Sequence, residues 1–309
     1  MTLKTKLIKD PVWGTFIYLP HEAELMRSNT FNRLHKVVQN SLAYFVYPGL
    51  KYTRLSHSLG VMFVATEIFF AALKKTPKET LDEFREVLKE SCSSILDSKR
   101  AYINELKEFW GINEYDATLL SLIRIQALLH DLGHMPYSHI FEFAIVQFVK
   151  EIDDQGLLID DNFHESLGDS FYRTLFFELS SRQITQDIKN DNLEFVQALI
   201  DLSIKLKADY KKAFEENAKA PRYTIWQTIN KFISSSVDPD RIEYVVRDGK
   251  FSGLELGQSI DYKRIFNSYE ISKIENSFWF FPTAKAKFDI EHFFIERFRN
   301  RKIVVAHHR

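Results

Sequence analysis

Apolar residues recur at three- and four-residue spacing through most of the chain, and that pattern predicts helices. Between Ala117 and His130, Leu119, Leu120, Ile123, Ala127 and Leu128 share one face. Thr80 to Ile95 repeats the pattern as an amphipathic helix, whereas Leu59 to Leu73 is apolar on most sides and reads as a buried one. Further helices are expected at Ser138–Glu151, His164–Leu179, Leu193–Phe214, Thr224–Ile233, Arg241–Arg247 and Phe288–Ile303. Asn29 and Thr30 suit the start of another, from near Phe31, with Leu34, Val37 and Val38 inward. Two places break the helical period. Leu7 to Leu19 sets β-formers on both sides of Pro11 and Gly14, predicting a hairpin, and Ile271 to Pro282 reads as a strand. Asp153–Gly156 and Asp160-Asp161 mark a polar loop. The expected fold class is mainly α, with a short N-terminal β-hairpin and a little β near residue 275.

Composition narrows the function classes. A net charge of −1 argues against wholesale coating of a nucleic acid or an anionic membrane. The single cysteine, Cys92, excludes an intramolecular disulfide and a cysteine-based zinc cage. Thr66 and Glu67 interrupt the longest apolar stretch, and residues 1–13 lack the apolar segment of a secretory signal, so a cytoplasmic protein is expected. His21, His35 and His292 read as surface or boundary residues.

The candidate chemistry is concentrated in ALLHDLGHMPYSH, where His130, Asp131, His134 and His139 crowd the junction between two helices. Gly133 permits a break there and Pro136 starts the next segment. An isolated His-Asp doublet is a weak signal. Imidazole plus carboxylate nevertheless suits Mn, Fe, Zn or Mg, with further ligands drawn from elsewhere. His57 stands just before the buried helix, and Asp240 at a helix start, where Asp238 or Asp240 also suits an N-cap.

Several strings in order, FNRLHKVVQN, YFVYPG, TRLSHSLGV, LLHDLGHMPYSHIFE, FHES and DPDRIEYVVRD, resemble the HD-domain phosphohydrolases. The nearer likeness is to the branch of SAM- and HD-domain deoxynucleoside triphosphate triphosphohydrolases, and it runs from about Asp10 to Asp261. The resemblance implies an HD-domain helical bundle over 31–270, a hairpin extension over 1–30, and a C-terminal strand and basic helix over 271–309. It implies His57, His130, Asp131 and Asp240 as ligands of a divalent metal ion. His134, His139, His164 and Glu165 would be active-site groups, with His139 or His164 protonating the leaving sugar oxygen. Arg54 would meet a phosphate, and Gln39, Tyr244 and Asp248 the sugar and phosphates. The implied reaction releases deoxynucleoside and intact triphosphate. The implied partners are a nucleotide substrate, a nucleotide activator whose site includes the hairpin, with Asp10 matching one of its residues, and further copies of the chain as a homo-oligomer.

Two departures bear on substrate. Asn40 stands where the branch carries an apolar residue that helps exclude a 2′-hydroxyl, and Ile303 to Ala306 offers no aromatic to pack under a deoxyribose. Ribonucleotides therefore stay open as substrates. So do two other functions: hydrolysis of another phosphoester, such as a nucleoside monophosphate or a signalling nucleotide, and nucleotide sensing without turnover.

Overall fold

The computed structural model describes residues 3–152, 163–186, 190–216, 221–257 and 259–305, and the polar loop expected at 153–161 lies outside them. The expected hairpin is present: β1 (Lys6–Asp10) pairs antiparallel with β2 (Gly14–Tyr18), Asp10 opposite Gly14. Asp10 shapes the turn, its Oδ1 accepting the backbone N–H groups of Val12 at 2.8 Å and Trp13 at 2.9 Å.

Helices account for most of the remaining chain, and the mainly α class is borne out. After α1 (Pro20–Met26), Ser28 caps α2 (Asn29–Asn32) by accepting from Phe31 N–H. The helix expected from Phe31 stops after this one turn. Arg33–Lys36 tightens into a 3₁₀ turn and Val37 is extended, because Val38 bridges to Thr53 and Gln39 N–H bonds Tyr52 O at 3.1 Å. Local apolar spacing loses here to a tertiary pairing.

The central helix is α3 (Arg54–Lys75), capped by Thr53, whose side chain accepts from Ser56 N–H. Its length and apolarity would suffice to cross a membrane, yet 13 of its 22 residues are buried in this fold, as in a core helix. Thr80–Ile95 is divided at Cys92 into α4 (Lys78–Ser91) and α5 (Ser93–Ser98), followed by α6 (Arg100–Trp110). Then come α7 (Glu114–Leu129), α8 (Ser138–Ile152), α9 (Phe163–Gln186), α10 (Asp191–Glu215), α11 (Ile225–Ile233) and α12 (Pro239–Ser252). After the short α13 (Tyr262–Phe266), the expected strand proves to be a hairpin, β3 (Tyr269–Ile274) with β4 (Ser277–Pro282), turning at Glu275 with a positive φ of 54°. The chain continues through α14 (Lys287–Asn300) into a π turn.

The core forms where α3 packs on α7, α12 and β3. Val61, Val64 and Ile68 of α3 and Leu119, Ile123 and Leu128 of α7 belong to this core, all fully buried. Burying each such side chain contributes about 1.5–3 kcal/mol. One polar cluster is buried with them. Arg124 donates to Glu22 at 2.5 and 2.8 Å and to Thr66 Oγ1 at 2.8 Å, tying α1, α7 and α3 together. His21, expected at the surface or boundary, is fully buried instead, with Nδ1 3.2 Å from Tyr102 Oη. Burial pulls its pKa down to about 4, so this imidazole is neutral at pH 7.

Cys92 is buried where α4 gives way to α5, and burial pushes its thiol up to about 12. A thiol held neutral and away from solvent is a poor nucleophile. Titration with a disulfide reagent at pH 8 is expected to find no reactive cysteine in the folded chain and one after denaturation. Rapid reaction in native buffer would contradict the burial.

Candidate metal centre

Three local structures bring the predicted ligands together. The cap at Thr53 starts α3 so that its first turn carries Arg54 and His57. α7 ends at Leu129; His130 is its C-cap, and a tight turn comes next, with His134 N–H bonding Asp131 O at 3.1 Å. At α12, Asp238 Oδ1 accepts from Arg241 N–H at 2.6 Å and Pro239 is the first helical residue. The N-cap is therefore Asp238, which leaves the Asp240 carboxylate for the cluster.

The four side chains converge. His57 Nε2 lies 3.0 Å from Asp240 Oδ1, 3.3 Å from His130 Nε2 and 3.7 Å from Asp131 Oδ2. His130 Nε2 lies 3.5 Å from Asp131 Oδ1 and 3.8 Å from Asp240 Oδ1. The far side of each ring is already committed. His130 Nδ1 is 2.8 Å from Ala127 O, which can only accept, so Nδ1 carries the hydrogen and Nε2 turns its lone pair inward. His57 Nδ1 is 2.5 Å from Glu243 Oε2, again a donor's position. Two inward imidazole nitrogens and two carboxylates form a donor set that fits a divalent cation of the Mn, Fe or Zn type. The charge balance agrees. Burial opposes protonation of His57, but Glu243, Asp240 and Asp131 outweigh it and push its pKa up to about 10. The pocket calls for positive charge, which either a proton or a metal ion supplies.

A second group adjoins the first. His134 Nε2 is 3.4 Å from Asp131 Oδ1, and its ring stacks on His164 with centroids 4.5 Å apart and planes 9° from parallel. His164 Nδ1 lies 3.0 Å from Glu142 Oε1, a buried carboxylate on α8. Gly133 makes this approach possible, since a Cβ there would sit 1.9 Å from His164 O. The glycine was expected for a chain break; close packing of α9 requires it. The side chains of His139 and Glu165, both expected in the site, lie outside the described residues.

Arg54 is buried, donating to Asp131 Oδ2 and, at 2.8 Å, to Ser138 Oγ. This fixes the guanidinium at the edge of the cluster. Asp131 is held well below the usual carboxylate range, because Arg54 and the histidines outweigh burial, which acts the other way. Along α12, Tyr244 and Asp248 lie one and two turns beyond Asp240, about 6 and 12 Å along the axis. Tyr244 Oη accepts from Arg297 Nε at 3.1 Å. Asp248 is buried and accepts from Tyr52 Oη at 2.6 Å, Asn300 Nδ2 at 3.0 Å and Asn40 Nδ2. Gln39 Oε1 is buried with no partner among the described residues. Asp10, matched by resemblance to an activator site, turns inward and accepts from Arg247 Nη2 at 3.0 Å.

Several residues here have no role assigned from the sequence. Glu243 and Glu142 orient histidines, and Asn300 holds Asp248 from α14. Arg33 donates to His134 O at 2.8 Å, while its Nε and Nη2 are buried without partners among the described residues. Burial, together with the nearby charge of Arg54, pulls this guanidinium down to about 10. Its block, FNRLHK, was conspicuous, but the arginine itself was not.

A helical bundle that holds His, His-Asp and Asp at the ends of three core helices is an HD-type arrangement, and the comparisons agree. No family model matches the chain. It is 24% identical over 304 residues, 98% of its length, to the protein of Acanthamoeba polyphaga mimivirus named "Putative HD domain-containing protein L394", covering 54% of that protein. It is 22% identical over 284 residues to the deoxynucleoside triphosphate triphosphohydrolase SAMHD1 of Bos taurus, with 88% of this chain and 39% of that protein covered. The Homo sapiens SAMHD1 is 24% identical over 279 residues, with coverage of 88% and 37%. The chain thus spans about half the length, or less, of these relatives. It is related to the HD-domain proteins, including SAMHD1, over most of its own length.

Proposed function

We propose that the chain is a metal-dependent phosphohydrolase of nucleotides, with deoxynucleoside triphosphates as first substrates and nucleoside plus triphosphate as products. The observation that carries this reading is the convergence of His57, His130 and Asp240, with Asp131 3.7 Å from His57 Nε2 and 3.5 Å from His130 Nε2, beside the stacked pair His134 and His164. His57, His130, Asp131 and Asp240 would hold a divalent cation, which would supply Lewis acidity at neutral pH. Arg54 and Arg33 offset charge that builds on the phosphoryl oxygens. His164, oriented through Nδ1 by Glu142, presents Nε2 as the proton donor to the leaving sugar oxygen. Gln39, Tyr244 and Asp248 accommodate the sugar, the last two at distances along α12 that suit a nucleotide's reach. Asn40 donates to Asp248 and so lines the same place with a polar group, which keeps ribonucleotides among the substrates to test.

The test is a mass-spectrometric product screen with Mn²⁺, Mg²⁺ or Fe²⁺ and pooled dNTPs, NTPs and monophosphates. Mixed nucleotides are included because the reading also involves a nucleotide activator and a homo-oligomer. Nucleoside and intact triphosphate are expected from the parent chain and are absent with His130→Ala. Inorganic phosphate released from monophosphates, or no turnover with every nucleotide present, would replace this reading.

A further inference from the structure

The metal centre is tied to the N-terminal hairpin by a buried chain of charged groups. His57 Nδ1 meets Glu243 Oε2 at 2.5 Å. The other oxygen of Glu243 accepts from Arg247 Nε at 2.5 Å and from Trp13 Nε1 at 3.1 Å. Arg247 in turn donates from Nη2 to Asp10 Oδ2 at 3.0 Å. His57, Glu243 and Arg247 are fully buried, and Asp10 and Trp13 nearly so. The fold makes room for the chain, because a Cβ at Gly60 would lie 2.2 Å from Glu243 Oε1. Two of the five members, Asp10 and Trp13, come from the turn of the β1–β2 hairpin, far from α12 in sequence.

We propose that the hairpin turn sets the affinity of the metal centre, with Asp10, Trp13 and Arg247 acting as positioning residues through Glu243 and His57. The inference rests on the metal-centre reading. Glu243 orients the His57 ring and, by accepting from Nδ1–H, makes Nε2 a better donor toward the centre. A carboxylate does this well only while its own position and charge are balanced. Arg247 and Trp13 hold one oxygen, which aims the other at His57. Asp10 shares the charge of Arg247. Without Asp10, the guanidinium rests on Glu243 alone, draws its negative charge away from His57, and leaves an uncompensated cation near the metal. Each change weakens metal binding without touching a ligand.

The measurement is a Co²⁺ titration of chelator-stripped full chain, followed by the visible absorption of the bound ion and by chelator competition. His57→Ala and Asp240→Ala test the centre itself. If neither weakens Co²⁺ binding, the metal-centre reading fails whatever the hairpin does. Given that they do, Asp10→Asn and Glu243→Gln are each expected to weaken Co²⁺ about ten- to hundred-fold and to alter its spectrum. Trp13→Phe removes only the Nε1–H donor while a ring remains against Phe63 and Tyr262, so it tests the relay even if Asp10→Asn does not fold. It is expected to weaken binding several-fold with little change in melting temperature. Asp10→Asn combined with Glu243→Gln should bind no more weakly than Glu243→Gln alone, because both act on one chain. Wild-type affinity and spectrum in Asp10→Asn and Trp13→Phe would overturn the proposal. So would losses that simply add in the double variant.

Discussion

Asp131→Asn is expected to remove one tightly bound divalent cation per chain and to lower nucleotide turnover by about a thousand-fold or more, about 4 kcal/mol at the barrier. Asp131 is the member of the cluster with the most obligations. It lies within 3.5 Å of His130 Nε2, 3.7 Å of His57 Nε2 and 3.4 Å of His134 Nε2, and it also accepts from Arg54. An amide keeps the shape but removes the charge, and it presents an N–H₂ group where an acceptor is needed. Arg54 then loses its buried counter-charge, which costs about 3 kcal/mol of stability. The variant is therefore expected to melt lower as well as to lose the metal.

Asp240→Asn separates the two effects. Asp240 is more exposed than Asp131 and its nearest partner is His57 at 3.0 Å, with no arginine among the described residues paired to it. It should lose cation binding and turnover with a much smaller change in melting temperature. Metal content by elemental analysis, turnover and thermal unfolding, measured on both variants, provide the comparison. A full equivalent of metal retained by both would remove these carboxylates from the centre. A large loss of stability in Asp240→Asn would mean that it also supports the fold.

The contrast between ligands and their supports explains what could be read from the chain. His57, His130, Asp131 and Asp240 stand in short strings whose local structure, a helix start or a helix end, aims them inward, so the residues proposed to hold the metal were legible. Glu243 was not, because its role depends on α12 lying against α3, a contact with no local signature. A signal was nevertheless present: Asp240, Glu243 and Arg247 recur at three- and four-residue spacing on one helix face. Glu142 had less, since only Gly133 and the close approach of α9 bring His164 to it. In the fold, long periodic helices such as α7 and α10 were legible. The short α1 was not, because it buries His21, which reads as a surface or boundary residue, together with Glu22 and Glu24, whose carboxylates meet Arg124 and Arg182. The segment after α2 carries helical spacing but is drawn straight by its bridge to Thr53.

Asp248→Asn is expected to stabilise the protein above pH 6 and, on the proposed sugar-binding role, to weaken nucleotide binding. Burial raises the Asp248 pKa to about 6, against the hydrogen bonds from Tyr52, Asn300 and Asn40 that favour its charged form. The unfolded chain releases this proton near pH ~3.9. A folded pKa above the unfolded one favours the folded state at low pH, and that advantage is lost as pH rises from about 4 to about 6. Above pH 6 the buried charge then costs about 3 kcal/mol, of which an uncharged side chain is free. The substituted amide also finds partners. Its oxygen would remain for Tyr52 and Asn40, and its N–H₂ group would face Asn300, whose Oδ1 is buried without a partner among the described residues. A flip of the Asn300 amide turns that oxygen toward the new donor. Urea unfolding of both proteins from pH 4.5 to 8 should show the variant's advantage growing up to about pH 6 and then levelling. On the proposed reading KM for the nucleotide should rise over the same range, because the carboxylate proposed to meet the sugar is gone. An advantage that does not change with pH would mean that Asp248 titrates alike in the folded and unfolded chain. An unchanged KM would place the sugar elsewhere. A carboxylate kept at a cost to stability, at the far end of the helix that begins beside the metal centre, is what a binding role predicts.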